Sequence, residues 1–71
     1  MNLTVNGKPA SIAEENALSV SQLLEALQVA QRDYVTVELN GDIIDRGDFD
    51  SATVKEGDSV EFLYFMGGGT L

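Results

Sequence analysis

The residues best suited to chemistry in this chain stand near its C-terminal end, and the key ones carry no side chain. The run Val60-Glu61-Phe62-Leu63-Tyr64-Phe65-Met66 is the most apolar in the sequence, and it leads straight into Gly67-Gly68-Gly69, followed by Thr70 and Leu71. β-Branched and aromatic residues in such a run form a strand. Glycine lacks Cβ, takes φ of either sign and lets a backbone approach another surface closely. A strand that ends in such a tail points to a folded domain whose task is to hold the tail out. The other clusters are blander. Asp45, Asp48, Asp50 and Asp58 miss the spacing of a calcium loop and read as a solvated acidic loop. Arg46-Gly47-Asp48 spells an adhesion tripeptide that has no meaning inside a cell, and Glu14-Glu15 is a solvated turn.

Composition narrows the field. The 71 residues make one domain, with no cysteine and no histidine. Disulfides, thiolate catalysis, Cys/His zinc sites, iron–sulfur clusters and imidazole acid–base work are thereby excluded. No apolar stretch reaches the roughly 20 residues of a membrane span. The N-terminus lacks the basic and apolar regions of a signal peptide. A cytoplasmic, membrane-free protein is expected. Twelve acidic residues against four basic ones give a net charge of −8. Nucleic acid, which needs clustered Lys and Arg, is not an expected partner. The charge serves solubility, and it also favours encounters with basic protein surfaces.

The elements that must position the tail follow from periodicity. Met1 to Val5 alternates, with Met1, Leu3 and Val5 on one face. Asn6-Gly7 signals a type I′ hairpin turn. Lys8 to Ile12 then returns with Ala10 and Ile12 inward, and Pro9, which cannot donate to a ladder, marks this strand as an edge. Ala13 to Ala17 connects. Ser19 opens a helix: Ser19 and Gln22 form a capping box, and Leu18 and Leu23 sit at the positions of a hydrophobic staple. Val20, Leu23, Leu24 and Leu27 make one apolar stripe over two to three turns. So short a helix is marginal alone and must lie on a sheet.

Tyr34 to Leu39 is the third strand, with Val35, Val37 and Leu39 inward. Asn40-Gly41 turns the chain, and Asp42 to Ile44 is a short fourth strand. Asp45 to Thr53 reads as an irregular loop or a single helical turn pinned by Phe49. Lys55-Glu56-Gly57-Asp58 is a tight turn before the last strand, Ser59 to Met66. The order is β-β-α-β-β-β, an α+β class with one helix to cover one sheet face. The first and last strands have the apolar character of central strands, so they lie parallel at the centre of a mixed sheet. That arrangement is the ubiquitin-like β-grasp. The domain is expected over residues 1–66, with a flexible glycine-rich tail over 67–71.

With the tail joined to this topology, the chain resembles the ThiS family of sulfur carrier proteins over essentially its whole length. The markers are Asn40-Gly41-Asp42-Ile43-Ile44, Arg46, Phe49, Glu56-Gly57-Asp58 and the glycines, in that order. The resemblance implies a protein that is not an enzyme and binds no cofactor or metal of its own. It implies that an E1-like adenylating enzyme uses ATP to activate the C-terminal glycine carboxylate. The product becomes a thiocarboxylate that gives its sulfur to thiazole synthase in thiamin biosynthesis. The sulfur comes from a donor such as a cysteine desulfurase, and the carrier works as a monomer. One feature departs from the family, which usually ends at Gly-Gly. Here Thr70-Leu71 follow, so the chain reads as a precursor trimmed by a protease, or as one carrying two residues foreign to it, or as a member that has lost the role. Processing to Gly69, with Gly68-Gly69 as the working pair, is the expectation.

Partner contacts are expected along the approach to that end, at Leu63, Phe65, Met66 and Gly67. If Val60, Phe62 and Tyr64 face the helix, Leu63 and Phe65 face outward as a docking patch, unless the loop around Phe49 covers them. The same fold and tail would also suit a sulfur carrier of another pathway, namely the small subunit of molybdopterin synthase or a carrier for cysteine synthesis. They would suit a ubiquitin-like modifier joined to lysines, or a β-grasp binding module with an inert tail.

Overall fold

The computed structural model describes residues 1–14, 16–30 and 32–64. Strand β1 (Asn2–Val5) turns at Asn6-Gly7 into β2 (Lys8–Ser11). Asn6 and Gly7 have φ of 52° and 80°, and Asn40 and Gly41 have 52° and 90°, the left-handed pair that a type I′ turn requires. The second of these turns joins β4 (Val35–Leu39) to β5 (Asp42–Ile44). Between the hairpins lie β3 (Leu18–Ser19) and helix α1 (Val20–Ala26). A 3₁₀ turn (Arg46–Asp48), β6 (Thr53–Val54) and β7 (Ser59–Tyr64) complete the described chain.

Five strands form one sheet in the order β2-β1-β7-β4-β5. β7 runs parallel to β1 and antiparallel to β4, so the first and last strands meet near its centre. Pro9 stands on the edge strand β2, as its missing N–H demands. This is the β-grasp arrangement expected from the sequence. A second, two-stranded sheet pairs β3 with β6, Leu18 opposite Val54 and Ser19 opposite Thr53. The sequence reading places Leu18 and Ser19 at the helix start and Thr53 at the end of a loop, and assigns no strand to either pair.

The helix begins as its residues require. The Gln22 amide donates to Ser19 Oγ at 3.0 Å, and the Ser19 amide donates to Gln22 Oε1 at 2.9 Å, closing the capping box. The two remaining amides of the first turn find loop carbonyls: Val20 N–H donates to Ala52 O and Ser21 N–H to Phe49 O. The segment Asp45–Ala52 is therefore the cap of the helix as well as a connection. At the far end, Gln28 has φ of 55°. Its amide donates to Glu25 O, and that of Val29 donates to Leu24 O. This is a Schellman ending with glutamine where glycine is usual.

One core lies between α1 and the sheet. Leu3, Val20, Leu23, Leu24, Val35, Val37, Val54 and Val60 are buried there with Leu18 and Phe49. Phe49 thus does pin the loop, and it does so from the helix side. Met1, Val5, Ile12, Leu27, Leu39, Ile44 and Phe62 pack around this centre. Asp58 corrects the expectation of a solvated acidic loop, for it is only 6 % exposed. Its Oδ2 accepts the Lys55 amide at 2.9 Å and its Oδ1 accepts Asn40 Nδ2 at 3.1 Å. A carboxylate so placed closes the Lys55–Asp58 turn and ties it to the second hairpin. Burial without such partners would be costly.

Candidate functional site

The candidate site is built on β7, and alternation along that strand decides which side chains face the helix and which face the open side of the sheet. Val60 lies opposite Leu39, Phe62 opposite Val37 and Tyr64 opposite Val35, all on the helix side. Glu61 and Leu63 lie opposite Glu38 and Thr36 on the other side, which no helix covers among the described residues. Leu63 is half-buried there. The face assignment expected for Leu63 therefore holds, and Phe49, buried on the opposite side, does not cover it. Phe65, Met66, Gly67, Gly68, Gly69, Thr70 and Leu71 lie outside the described residues.

One residue of this face escaped the sequence reading. Ile43 pairs with Glu38 and so shares the open side with Leu63, and it is 63 % exposed. The signal was available: Ile44 packs inward, so its neighbour on a strand must point out. Glu38 stands between Ile43 on one flank and Glu61 on the other. The open side thus combines two branched aliphatic side chains with two carboxylates.

β7 is held differently along its length. At its start both flanks are bonded. Thr4 N–H donates to Asp58 O at 3.0 Å, Asn6 N–H to Val60 O at 2.9 Å, and Phe62 N–H to Asn6 Oδ1 at 2.8 Å. On the other flank Asn40 N–H donates to Ser59 O at 2.7 Å, and Ser59 N–H donates to Asn40 Oδ1 at 2.9 Å. Both hairpin asparagines thus fasten β7 with their side chains as well as shaping their turns. Beyond Phe62 the β1 flank supplies no further partner among the described residues, and only β4 continues, to the Val35–Tyr64 rung.

Side chains reinforce this last rung from the helix side. Tyr64 Oη donates to Ala30 O at 2.9 Å. Arg46 donates from Nη2 to Val35 O at 3.1 Å and from Nη1 to Arg32 O, and its guanidinium stands 5.4 Å from the centre of the Phe49 ring. The loop from Val29 to Tyr34 is thus bonded at both ends of its described part. Arg46, which the sequence marked only as a family feature, is spent on backbone carbonyls. The cleft beside it, lined by Ser21, Leu24, Arg32, Asp33, Phe49 and Asp50, has its near carboxylate engaged as well, since Ser21 Oγ donates to Asp50 Oδ1 at 2.5 Å. No group of three or more metal-ligating side chains converges among the described residues. Nor is any described helix long and apolar enough to cross a membrane.

Comparison with known proteins agrees with this geometry. The model of the ThiS family matches residues 3–69. The crystal structure of a thiamine biosynthesis protein (ThiS) from Geobacter metallireducens is 64 % identical, with a TM-score of 0.91 over 97 % of this chain and all of that one. A solution NMR structure of a thiamine biosynthesis protein from Geobacter metallireducens is 63 % identical, with a TM-score of 0.78 over all of this chain and 91 % of that one. No protein of curated function matches. A family match through nearly the whole sequence, joined to the same fold at such identity, means that the chain belongs to the ThiS family.

Proposed function

We propose that this protein is a sulfur carrier of thiamin biosynthesis whose working group is the carboxylate of Gly69, exposed once Thr70 and Leu71 are gone. A carboxylate is a poor electrophile. An E1-like adenylating enzyme remedies that with ATP: a carboxylate oxygen attacks the α-phosphorus, pyrophosphate leaves, and the glycine is joined to AMP. A persulfide on a donor such as a cysteine desulfurase then attacks the acyl carbon, AMP departs with the bonding electrons, and a thiol cleaves the resulting acyl disulfide, leaving its own sulfur in a disulfide with the donor. The resulting thiocarboxylate gives its sulfur to thiazole synthase. The carrier supplies no acid, base or metal to these steps, in keeping with a sequence that has neither histidine nor cysteine. It acts as a monomeric co-substrate and not as a catalyst.

The observation that carries this reading is the family match, which runs through Gly68 and ends at Gly69. The names borne by the two Geobacter metallireducens relatives support the thiamin pathway. Glycine at these positions suits a chain end that must enter narrow channels in successive partners. The open side of the sheet fits the docking that must precede entry. Leu63 and Ile43 offer an apolar contact beside Glu38 and Glu61, on a chain of net charge −8. The complementary surface is apolar with basic groups around it. Phe65, Met66 and Gly67, next in sequence, are assigned to the same partner contact.

ATP–pyrophosphate exchange with a ThiS-family adenylating enzyme tests the reading. A chain ending at Gly69 supports exchange. One ending at Leu71 does not, because its carboxylate is flanked by a branched side chain. One ending at Gly67 fails as well, its carboxylate falling short by about 7 Å of extended chain. Equal exchange by the Gly69 and Leu71 forms would overturn Gly69 as the working terminus.

A further inference from the structure

The geometry points to Tyr64 as a positioning residue that, through its hydroxyl bond to the Ala30 carbonyl, holds the Val35–Tyr64 rung of β7, which precedes the glycine tail in sequence. The inference rests on the carrier reading above. Tyr64 makes the Val35 rung with β4, and after Phe62 β7 has no bonds on the β1 flank among the described residues. One rung to Val35 would leave the strand end free to splay about β4. The Tyr64 side chain supplies the missing second support, reaching across to Ala30 at 2.9 Å. That carbonyl belongs to a loop which is itself held, because Arg46 donates to Arg32 O and to Val35 O. The support is thus made to a loop that Arg46 ties at Arg32 and at Val35.

The bond does little for packing. Tyr64 is 43 % exposed, and Phe62, one pleat earlier, is the last β7 residue packed on the core. A surface hydroxyl that spans to a loop carbonyl beyond the core has the placement of a geometric restraint. Its value lies in delivery. A carboxylate several residues downstream must reach an α-phosphorus in line, and each added freedom at the base of the tail spreads the positions of its tip. Docking through Leu63 and Ile43 is a separate matter, since those side chains lie on the other side of the sheet.

The two contributions separate in kinetics. In pyrophosphate exchange by the chain ending at Gly69, Tyr64→Phe should lower kcat about three- to ten-fold with KM changed less than about two-fold, the pattern of an interaction used in the transition state. Leu63→Asp should instead raise KM. Tyr34→Phe is the control, since that hydroxyl is on a side chain 70 % exposed and bonds nothing among the described residues. All are measured at a temperature where thermal melts show every variant folded, so a loss of stability cannot mimic the effect. An unchanged kcat in Tyr64→Phe, or a defect confined to KM, would overturn the inference and leave the carrier reading intact. Failure of the parent chain itself, with an enzyme proven on another ThiS-family carrier, would overturn both.

Discussion

The two ends of β7 are fastened by different means. At Ser59–Val60 the strand is bonded on both flanks, two asparagine side chains reach in from neighbouring turns, and a buried aspartate closes the turn that precedes it. Val60 has no solvent exposure. At Leu63–Tyr64 one flank is open among the described residues, and beside the β4 rung the support comes from the Tyr64 hydroxyl and from Arg46, which donates to Val35 O. The first end is part of the fold's centre, and the second leads in sequence to the glycines. A carrier needs a domain that stays folded while its C-terminal end is handled by partners.

Aspartate scanning breaks this contrast most sharply. Val60→Asp places an unpaired charge in the centre of the core and should leave the chain unfolded, the domain's whole stability being only about 5 kcal/mol. Leu63→Asp should cost about 1 kcal/mol, because the side chain is only half-buried and the charge stays wet. Circular dichroism and thermal melts of the pair decide it. Two unfolded variants would mean that the outward side of β7 is part of the core.

Asp58→Ala comes next. It strips the Lys55 amide and Asn40 Nδ2 of their acceptor, and the loss should be about 1–3 kcal/mol in chemical denaturation. The exposed Lys55 ammonium, 3.9 Å from the carboxylate, contributes little, so Lys55→Ala should fall within about 0.5 kcal/mol of the parent. A larger effect from Lys55 than from Asp58 would overturn the account of the strand's first end.

The smallest effect lies away from β7 and calibrates the rest. Gln28 adopts φ of 55° at the helix C-terminus, where a Cβ is strained. Gln28→Gly should raise stability by roughly 0.5–1 kcal/mol, read as a higher denaturation midpoint. A lower midpoint would show that the glutamine side chain itself stabilises the turn.

Local chemistry made most of the fold legible. Asn-Gly fixes a turn through φ, Ser19 and Gln22 fix a helix start through two mutual bonds, and alternation in Val35–Leu39 and Val60–Tyr64 fixes which side is buried. Each of these is written within a few residues. What escaped is non-local. β3 and β6 have two residues each, too few for any period, and exist because Leu18 and Val54 meet across the core. Asp58 looked like any turn aspartate until Asn40, far away in sequence, was brought against it. The same holds for Arg46 and Tyr64, whose partners are backbone carbonyls with no residue identity to recognise. At the candidate site, Leu63 was readable from strand parity. Ile43 needed only the same parity, applied to a strand of three residues.

The most direct test of the central claim is the intact mass of the chain ending at Gly69 after incubation with an adenylating enzyme, ATP and a sulfur source. The account predicts a species heavier by the difference between sulfur and oxygen. That species should be confined to a C-terminal fragment carrying Gly69, and it should return to the parent mass when thiazole synthase and its substrates are added. An unchanged mass with an enzyme active on another ThiS-family carrier would contradict the account. So would much heavier species in which the glycine is joined to lysines of other proteins.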